Sequence, residues 1–245
     1  MISVYTIYKY YDKFFSNKFE NDIFKLISPL KKKNLVVYDV GCYMGSFSNR
    51  LDILLKQKFN VKYYLFDPIP NIEKIIKKNN FNYKFYNYAV SNNGGVKKFN
   101  LNTQNSWSGS SLVNISKNSK LYNASRNFVA FNFGKKLFKT IKVKSIILDK
   151  FIKKNRLPLP DILKIDVEGA ELNVLDGFLK NIKQTKIIYL EIFDEKDRWD
   201  LKFEKVNKFM KKNNFKFFKS SRIVEGSILS TLKVVDVIYI NKDLP

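Results

Sequence analysis

Short apolar runs, each closed by an acid or a turn, alternate with segments of helical spacing along most of this chain. That alternation constrains the fold more than any other feature. "LVVYDV" (35–40) reads as a strand, and "SFSNRLDILLKQ" (46–57) has helical spacing with Ser46 placed to cap it. "VKYYLFD" (61–67) is a second strand, "NIEKIIKKN" (71–79) a second helix, and "NYKFYNYAV" (82–90) a third strand that turns through "SNNGG" into "VKKFNL". The rhythm resumes with a helix over 145–155, a strand over 160–167, a helix over 168–181 with Leu172, Leu175, Phe178 and Leu179 on one face, and the apolar strand "KIIYLEIF" (186–193). A helix at about 202–213 and the strands "FKFFK" and "VVDVIYI" complete it. Strands alternating with helices predict a mainly parallel sheet covered on both faces. Residues 1–34, with a stripe of Ile23, Leu26, Ile27 and Leu30, read as a helical lead-in covering one sheet edge, and 35–245 as one domain. The polar stretch from about 102 to 140 is too long for a plain connection, so it is functional or holds further elements.

Composition excludes several chemistries. The chain has no histidine, which removes a Ser-His-Asp triad and a histidine general base. Its one cysteine, Cys42, allows neither an internal disulfide nor a cysteine-based zinc site. The N-terminus lacks the apolar core of a signal peptide, and no apolar run approaches the ~20 residues of a membrane span, so a cytoplasmic location is expected. The formal charge of +23 has two readings: an electrostatic footprint for nucleic acid or an anionic surface, or the lysine bias of an AT-rich genome. The lysines are scattered rather than gathered on one helix.

In a parallel α/β sheet, ligands bind beyond the carboxyl ends of the strands. The chain has only 9 glycines, where average usage of about 7% predicts roughly 17, yet Gly41 and Gly45 both fall in "DVGCYMGSF", just after the first strand. Glycine there lets the backbone approach a ligand or take positive φ. The loop is neither a Rossmann GxGxxG nor a Walker loop. It suits a nucleoside carrying an amino-acid tail, with Asp39 and backbone groups holding the ammonium end. Asp67 ends the second strand 28 residues on, where an acid can accept hydrogen bonds from both ribose hydroxyls; capping the following helix is its alternative role. Pro68 and Pro70 stiffen the turn behind it, and the small Ala89 leaves room for a flat ring. Asp166 and Glu168 flank the end of the strand in "KIDVEGAEL", and Glu191 sits near the rim in "YLEIF". Glu168 and Glu171 also suit the first turn of a helix, where the dipole favours acids.

Four motifs in order, "VYDVGCYMGSF", "YLFDPIP", "NYAVSNNGGVKKF" and "LKIDVEGAELNVLDG", resemble the FkbM family of S-adenosylmethionine-dependent methyltransferases, over about residues 35–194. "SGSSL" (108–112) is similar to a serine-rich stretch of that family. The resemblance implies a class I methyltransferase (Rossmann-like) fold: a mostly parallel seven-stranded sheet with an antiparallel last strand, "VVDVIYI", and helices on both faces. It also implies S-adenosylmethionine as cofactor. Asp39, Gly41 and Gly45 would line its methionine end, Asp67 its ribose, and Asn87 through Val90, with Ala89, its adenine. Asp166 would face the methyl-transfer site. Where the family often has Ala-Asn after the first glycine, this chain has Cys42-Tyr43, and the bulk of Tyr43 would narrow the pocket or add a ring against the cofactor.

Methyl transfer from a sulfonium to a hydroxyl needs orientation, and a base or a metal helps. Without histidine, the base candidates are Asp166, Glu168 and Glu191. Alternatively these acids bind a divalent ion. The expected activity is O-methylation of a glycan or small metabolite. The alternatives are a basic binding module on the same fold, or methylation of RNA. Trp107, Arg198 and Trp199 are candidate sugar contacts, with a core role the alternative for Trp199.

Overall fold

The computed structural model describes residues 18–102, 110–112, 138–221, 224–225 and 232–244. In chain order its elements are α1 (Lys18–Ile27), β1 (Asn34–Val40), α2 (Ser46–Leu55), β2 (Asn60–Phe66), the single turn α3 (Glu73–Ile76), β3 (Tyr83–Tyr86), β4 (Ala89–Val90), β5 (Gly95–Asn102), β6 (Phe138–Ile146), α4 (Leu148–Asn155), β7 (Ile162–Ile165), α5 (Glu171–Gly177), β8 (Ile187–Glu195), α6 (Lys196–Lys212), β9 (Phe215–Ser220), β10 (Val224–Glu225) and β11 (Leu232–Asn241). The main sheet runs β3-β2-β1-β7-β8-β11. β9 and the two-residue β10 lie end to end along the far side of β11, completing a seventh position. β1, β2, β3, β7 and β8 are parallel, and β11 runs antiparallel to β8 and β9. This is the class I methyltransferase arrangement.

The central strands are continuous apolar runs because both faces are covered. Tyr38, Val40, Tyr64, Phe66, Leu163, Ile165, Ile188 and Leu190 face α4, α5 and α6. Leu35, Val37, Val61, Tyr63, Leu65, Ile162 and Ile187 face α1 and α2. The lead-in helix therefore covers a face, not an edge. Ile23 and Ile27 of α1 are fully buried, Phe19 stacks on Tyr189 of β8 with ring centres 5.6 Å apart, and Arg50 of α2 binds Glu20 at 2.7 Å.

Several local expectations are corrected. The third strand breaks after Tyr86, and Ala89-Val90 join β6 and β5 in a separate three-stranded sheet. The Asn87 amide donates to the carbonyls of Asp67 (2.8 Å) and Ile69 (3.0 Å), holding the chain where it leaves the main sheet. Ser145 and Ile146 belong to β6, so the helix there starts at Leu148. The 71–79 helix is only one turn. Glu168 and Gly169 have φ of 51° and 105° and form a turn ahead of α5, so Glu168 is not in the first helical turn, and Leu179 is half-exposed beyond the helix end. Ser46 lies inside α2 without capping it; Gly45, at φ 77°, occupies the cap position. Most of the 102–140 stretch, including Trp107, lies outside the described residues, as does the Arg198 side chain.

Candidate active site

The carboxyl ends of β1, β2 and β7, with the segment around β4, enclose a cleft, the place where ligands bind in a parallel α/β sheet. Gly41 builds its floor. Its φ is +75°, and a Cβ there would lie 1.7 Å from the Asp166 carbonyl oxygen. No side chain fits, so this glycine allows β1 and β7 to end side by side. Its N–H donates to the Phe66 carbonyl at 2.8 Å, tying the loop to β2.

Asp67 closes β2 and is almost fully buried. Its two carboxylate oxygens accept the N–H groups of Tyr43 (2.8 Å) and Ile69 (2.9 Å). Each oxygen keeps a further lone pair, and the side chain lines the cleft. Burial pushes its pKa up to about 6, against the lowering effect of those two N–H bonds and of Lys164. Tyr43, which presents one of these N–H groups, has a left-handed φ of 47° and also lines the cleft. The wall facing Asp67 is apolar, with Tyr88, Ala89, Val90, Phe99 and Leu112.

Lys164, in the middle of the apolar β7, is a central residue that sequence reasoning missed. It is Asp39's neighbour in the β1–β7 register. Its ammonium lies 3.2 Å from Asp39, 3.1 Å from Asp166 and 3.0 Å from the Gly41 carbonyl, which accepts its hydrogen bond. Burial alone would lower its pKa; the Asp166 and Asp39 carboxylates reverse this and hold it above the usual lysine range. Asp39 also accepts a hydrogen bond from Ser48 at 2.7 Å. The only sequence signal for Lys164 was a lysine flanked by apolar residues in a strand too central to expose it.

Asp166, Glu168 and Glu191 each bring a carboxylate oxygen within 4.8 Å of the others. Burial, then the Asp166 and Glu168 charges, push the Glu191 carboxyl well above its usual range, and it is hydrogen-bonded to Asp166. Ser111, from the "SGSSL" stretch, donates its hydroxyl to the Glu168 carbonyl at 2.6 Å and so braces that left-handed turn, while Ser110 and Leu112 line the cleft. Behind the turn, Lys202 of α6 pairs with the buried Glu171 at 2.6 Å and donates to the Gly169 carbonyl at 3.0 Å.

The sequence pattern of the Methyltransferase FkbM domain matches residues 39–217, the span that builds this cleft. The chain belongs to the FkbM methyltransferase family. A curated relative, the 2-O-methyltransferase NoeI of Sinorhizobium fredii, is 24% identical over 178 residues, covering 70% of this chain and 68% of the relative. Among solved structures, precorrin-6y C5,15-methyltransferase from Geobacter metallireducens aligns with a TM-score of 0.43 at 13% identity, over 89% of this chain and 85% of that one. M. jannaschii TYW2 in complex with AdoMet aligns with a TM-score of 0.37 at 11% identity, over 94% and 79%. Family membership makes this a methyltransferase of the S-adenosylmethionine-dependent type.

Of the residues singled out in the sequence, Gly41, Tyr43, Asp67, Pro68, Ala89, Val90, Asp166 and Glu168 line the cleft together. Asp39 does not reach it: fully buried beneath the floor, it meets Lys164 and Ser48. Cys42 is buried in the core under α2. Gly45 packs toward Asn79 and Ile76. Asn87 braces the Asp67 turn from outside the cleft. Glu191 stands behind Asp166. Trp199 is buried against Phe203 in the α6 core, away from the cleft. Among the described residues, no helix is long and apolar enough to cross a membrane.

Proposed function

We propose that the protein transfers a methyl group from S-adenosylmethionine to a hydroxyl of a glycan or small metabolite. The observation that carries this reading is Asp166, a carboxylate that lines the cleft beside Glu168 and is hydrogen-bonded to Glu191. Histidine is lacking, Cys42 is buried, and Lys164 is held as an ammonium. The activity for which the curated relative is named, 2-O-methylation, supports oxygen as the atom methylated.

The residues present fit the donor. Asp67 has two oxygens with spare lone pairs in the cleft, suited to a ribose diol. Tyr88, Ala89 and Val90 offer an apolar slot for a flat base. Gly41 brings backbone close enough to carry the amino-acid end, and Asp39 acts there indirectly, through Lys164. When bound, the donor supplies an electrophilic methyl group. The chain's own part is to orient the acceptor hydroxyl and take its proton. Asp166 lines the cleft and receives that proton, with Lys164 fixing its carboxylate and Glu191 sharing a hydrogen bond behind it. Lys164 already pairs with Asp166 and weakens its pull on a second cation, so we favour proton transfer over a divalent ion held by the three acids.

RNA as acceptor is the second reading, drawn from the +23 charge. The acids lining the cleft would repel a phosphate beside the reacting group and weigh against it. The test is methyl transfer from labelled donor to a panel of neutral glycans and to RNA. Asp166→Asn should lower kcat about 10²- to 10⁴-fold with donor affinity unchanged. Full turnover by that variant removes the base role.

A further inference from the structure

A second depression lies outside the cleft and outside the methyl-transfer chemistry. It is an open groove of about 740 Å³ between α6 and the β9–β11 edge of the sheet. Trp199, Phe203, Asn207 and Lys211 follow one another at four-residue spacing, one stripe along α6, and all four line it. Its floor is aromatic and apolar, and Lys211, Lys216 and Lys242 stand on its margin, all three exposed. No carboxylate lines it among the described residues. Its setting is equally basic: the last two turns of α6 carry Lys205, Lys208, Lys211 and Lys212, all exposed.

The outer strand adds apolar reach. Pairing along β11 steps from Tyr239↔Phe217 to Ile238↔Lys219, so Phe218 is an extra residue without a partner. Such a bulge twists an edge strand and re-aims its side chains. Phe217 and Phe218 are 51% and 42% exposed, two large rings turned to solvent at adjacent positions.

We propose that this groove and the β9 edge dock the protein onto an anionic phospholipid bilayer. The charge is complementary: exposed lysines meet the headgroup phosphates, and Phe217 and Phe218 enter the interface. Nucleic acid also takes lysines beside rings, but by stacking bases on open ring faces. Here the floor rings Trp199, Phe215 and Tyr239 are almost fully buried, with Trp199 stacked on Phe203 at 4.9 Å, and the open rings are Phe217 and Phe218 at the bulged edge. What the groove offers is an apolar seat with a cationic margin. The proposal does not depend on which acceptor is methylated.

The test is co-sedimentation of the full chain with vesicles of phosphatidylglycerol and phosphatidylcholine in equal parts, and with phosphatidylcholine alone. Binding is expected to the first and not the second. Lys211→Ala/Lys216→Ala/Lys242→Ala should weaken it about 100-fold, each surface lysine being worth about fivefold. The control Lys56→Ala/Lys58→Ala/Lys84→Ala removes as much charge from exposed positions elsewhere and should leave more than half of the binding. Phe217→Ser/Phe218→Ser should make the remaining binding collapse in high salt. Three results overturn the proposal: no binding of the wild type to anionic vesicles, an equal loss in the control, or groove-dependent binding to a single-stranded oligonucleotide without binding to vesicles.

Discussion

Replacing Lys164 by methionine removes the buried cation that bridges Asp39 of β1 and Asp166 beyond β7. The methionine side chain nearly conserves volume, so packing is largely preserved. What changes is the charge. Asp39, with no exposed surface, loses its ion pair at 3.2 Å and keeps only the Ser48 hydroxyl; the Gly41 carbonyl loses its donor. Breaking a buried pair from one side costs about 3–5 kcal/mol, because the remaining charge is left uncompensated. Asp166, with a side chain 30% exposed, can turn to water and adds little to that cost. Against a total stability of about 5–15 kcal/mol, the loss is large: about 6 to 20 °C in Tm for a chain of this size. Urea unfolding and thermal melts followed by circular dichroism measure it. The decisive comparison is Lys164→Met/Asp39→Asn, which removes the stranded charge and should recover at least half of the loss. A loss below about 1 kcal/mol in the single variant, or no recovery in the double, would refute the claim that Lys164 exists to neutralise Asp39.

Other consequences follow from the same geometry. Gly41→Ala should abolish donor binding in calorimetry and lower Tm, since its Cβ meets a backbone carbonyl at 1.7 Å and cannot be relieved by a side-chain rotation. Asp67, raised to about 6 by burial, should make donor affinity fall about tenfold per pH unit as pH drops below about 6, where its carboxylate takes up a proton and accepts fewer hydrogen bonds. The same raised pKa means that the donor-free native state holds this proton more tightly than the unfolded chain. Asp67 therefore stabilises the fold at low pH, and that contribution is lost as pH rises through about 6; Asp67→Asn should flatten this part of a stability-versus-pH curve. If proton transfer to Asp166 needs no metal, EDTA leaves methyl transfer unchanged; loss with rescue by magnesium would favour an ion held by Asp166, Glu168 and Glu191.

The sequence made the frame of the molecule readable where burial on both faces leaves a continuous apolar run, as in β1, β2, β7 and β8. It was least readable where one residue ends an element for tertiary reasons. "NYKFYNYAV" has the composition of a single strand, and its division depends on Asn87 reaching the carbonyls of Asp67 and Ile69, contacts about twenty residues away. Glu168 looked like an acid in a first helical turn, and the left-handed turn that holds it depends partly on Ser111, 57 residues earlier. The glycine loop and the acids at strand tips pointed to the cleft because strand ends converge there in any such sheet. Asp39 was harder: its sequence position says strand tip, but only the β1–β7 register shows that its neighbour is Lys164 and that it faces inward.

The most direct test of the account is a calorimetric titration of the purified protein with S-adenosylmethionine, beside Asp67→Ala. Micromolar-range binding by the wild type, lost in a variant that remains folded, is what the cleft predicts. A folded wild type that does not bind the donor, or an Asp67→Ala variant that binds it equally well, would contradict it.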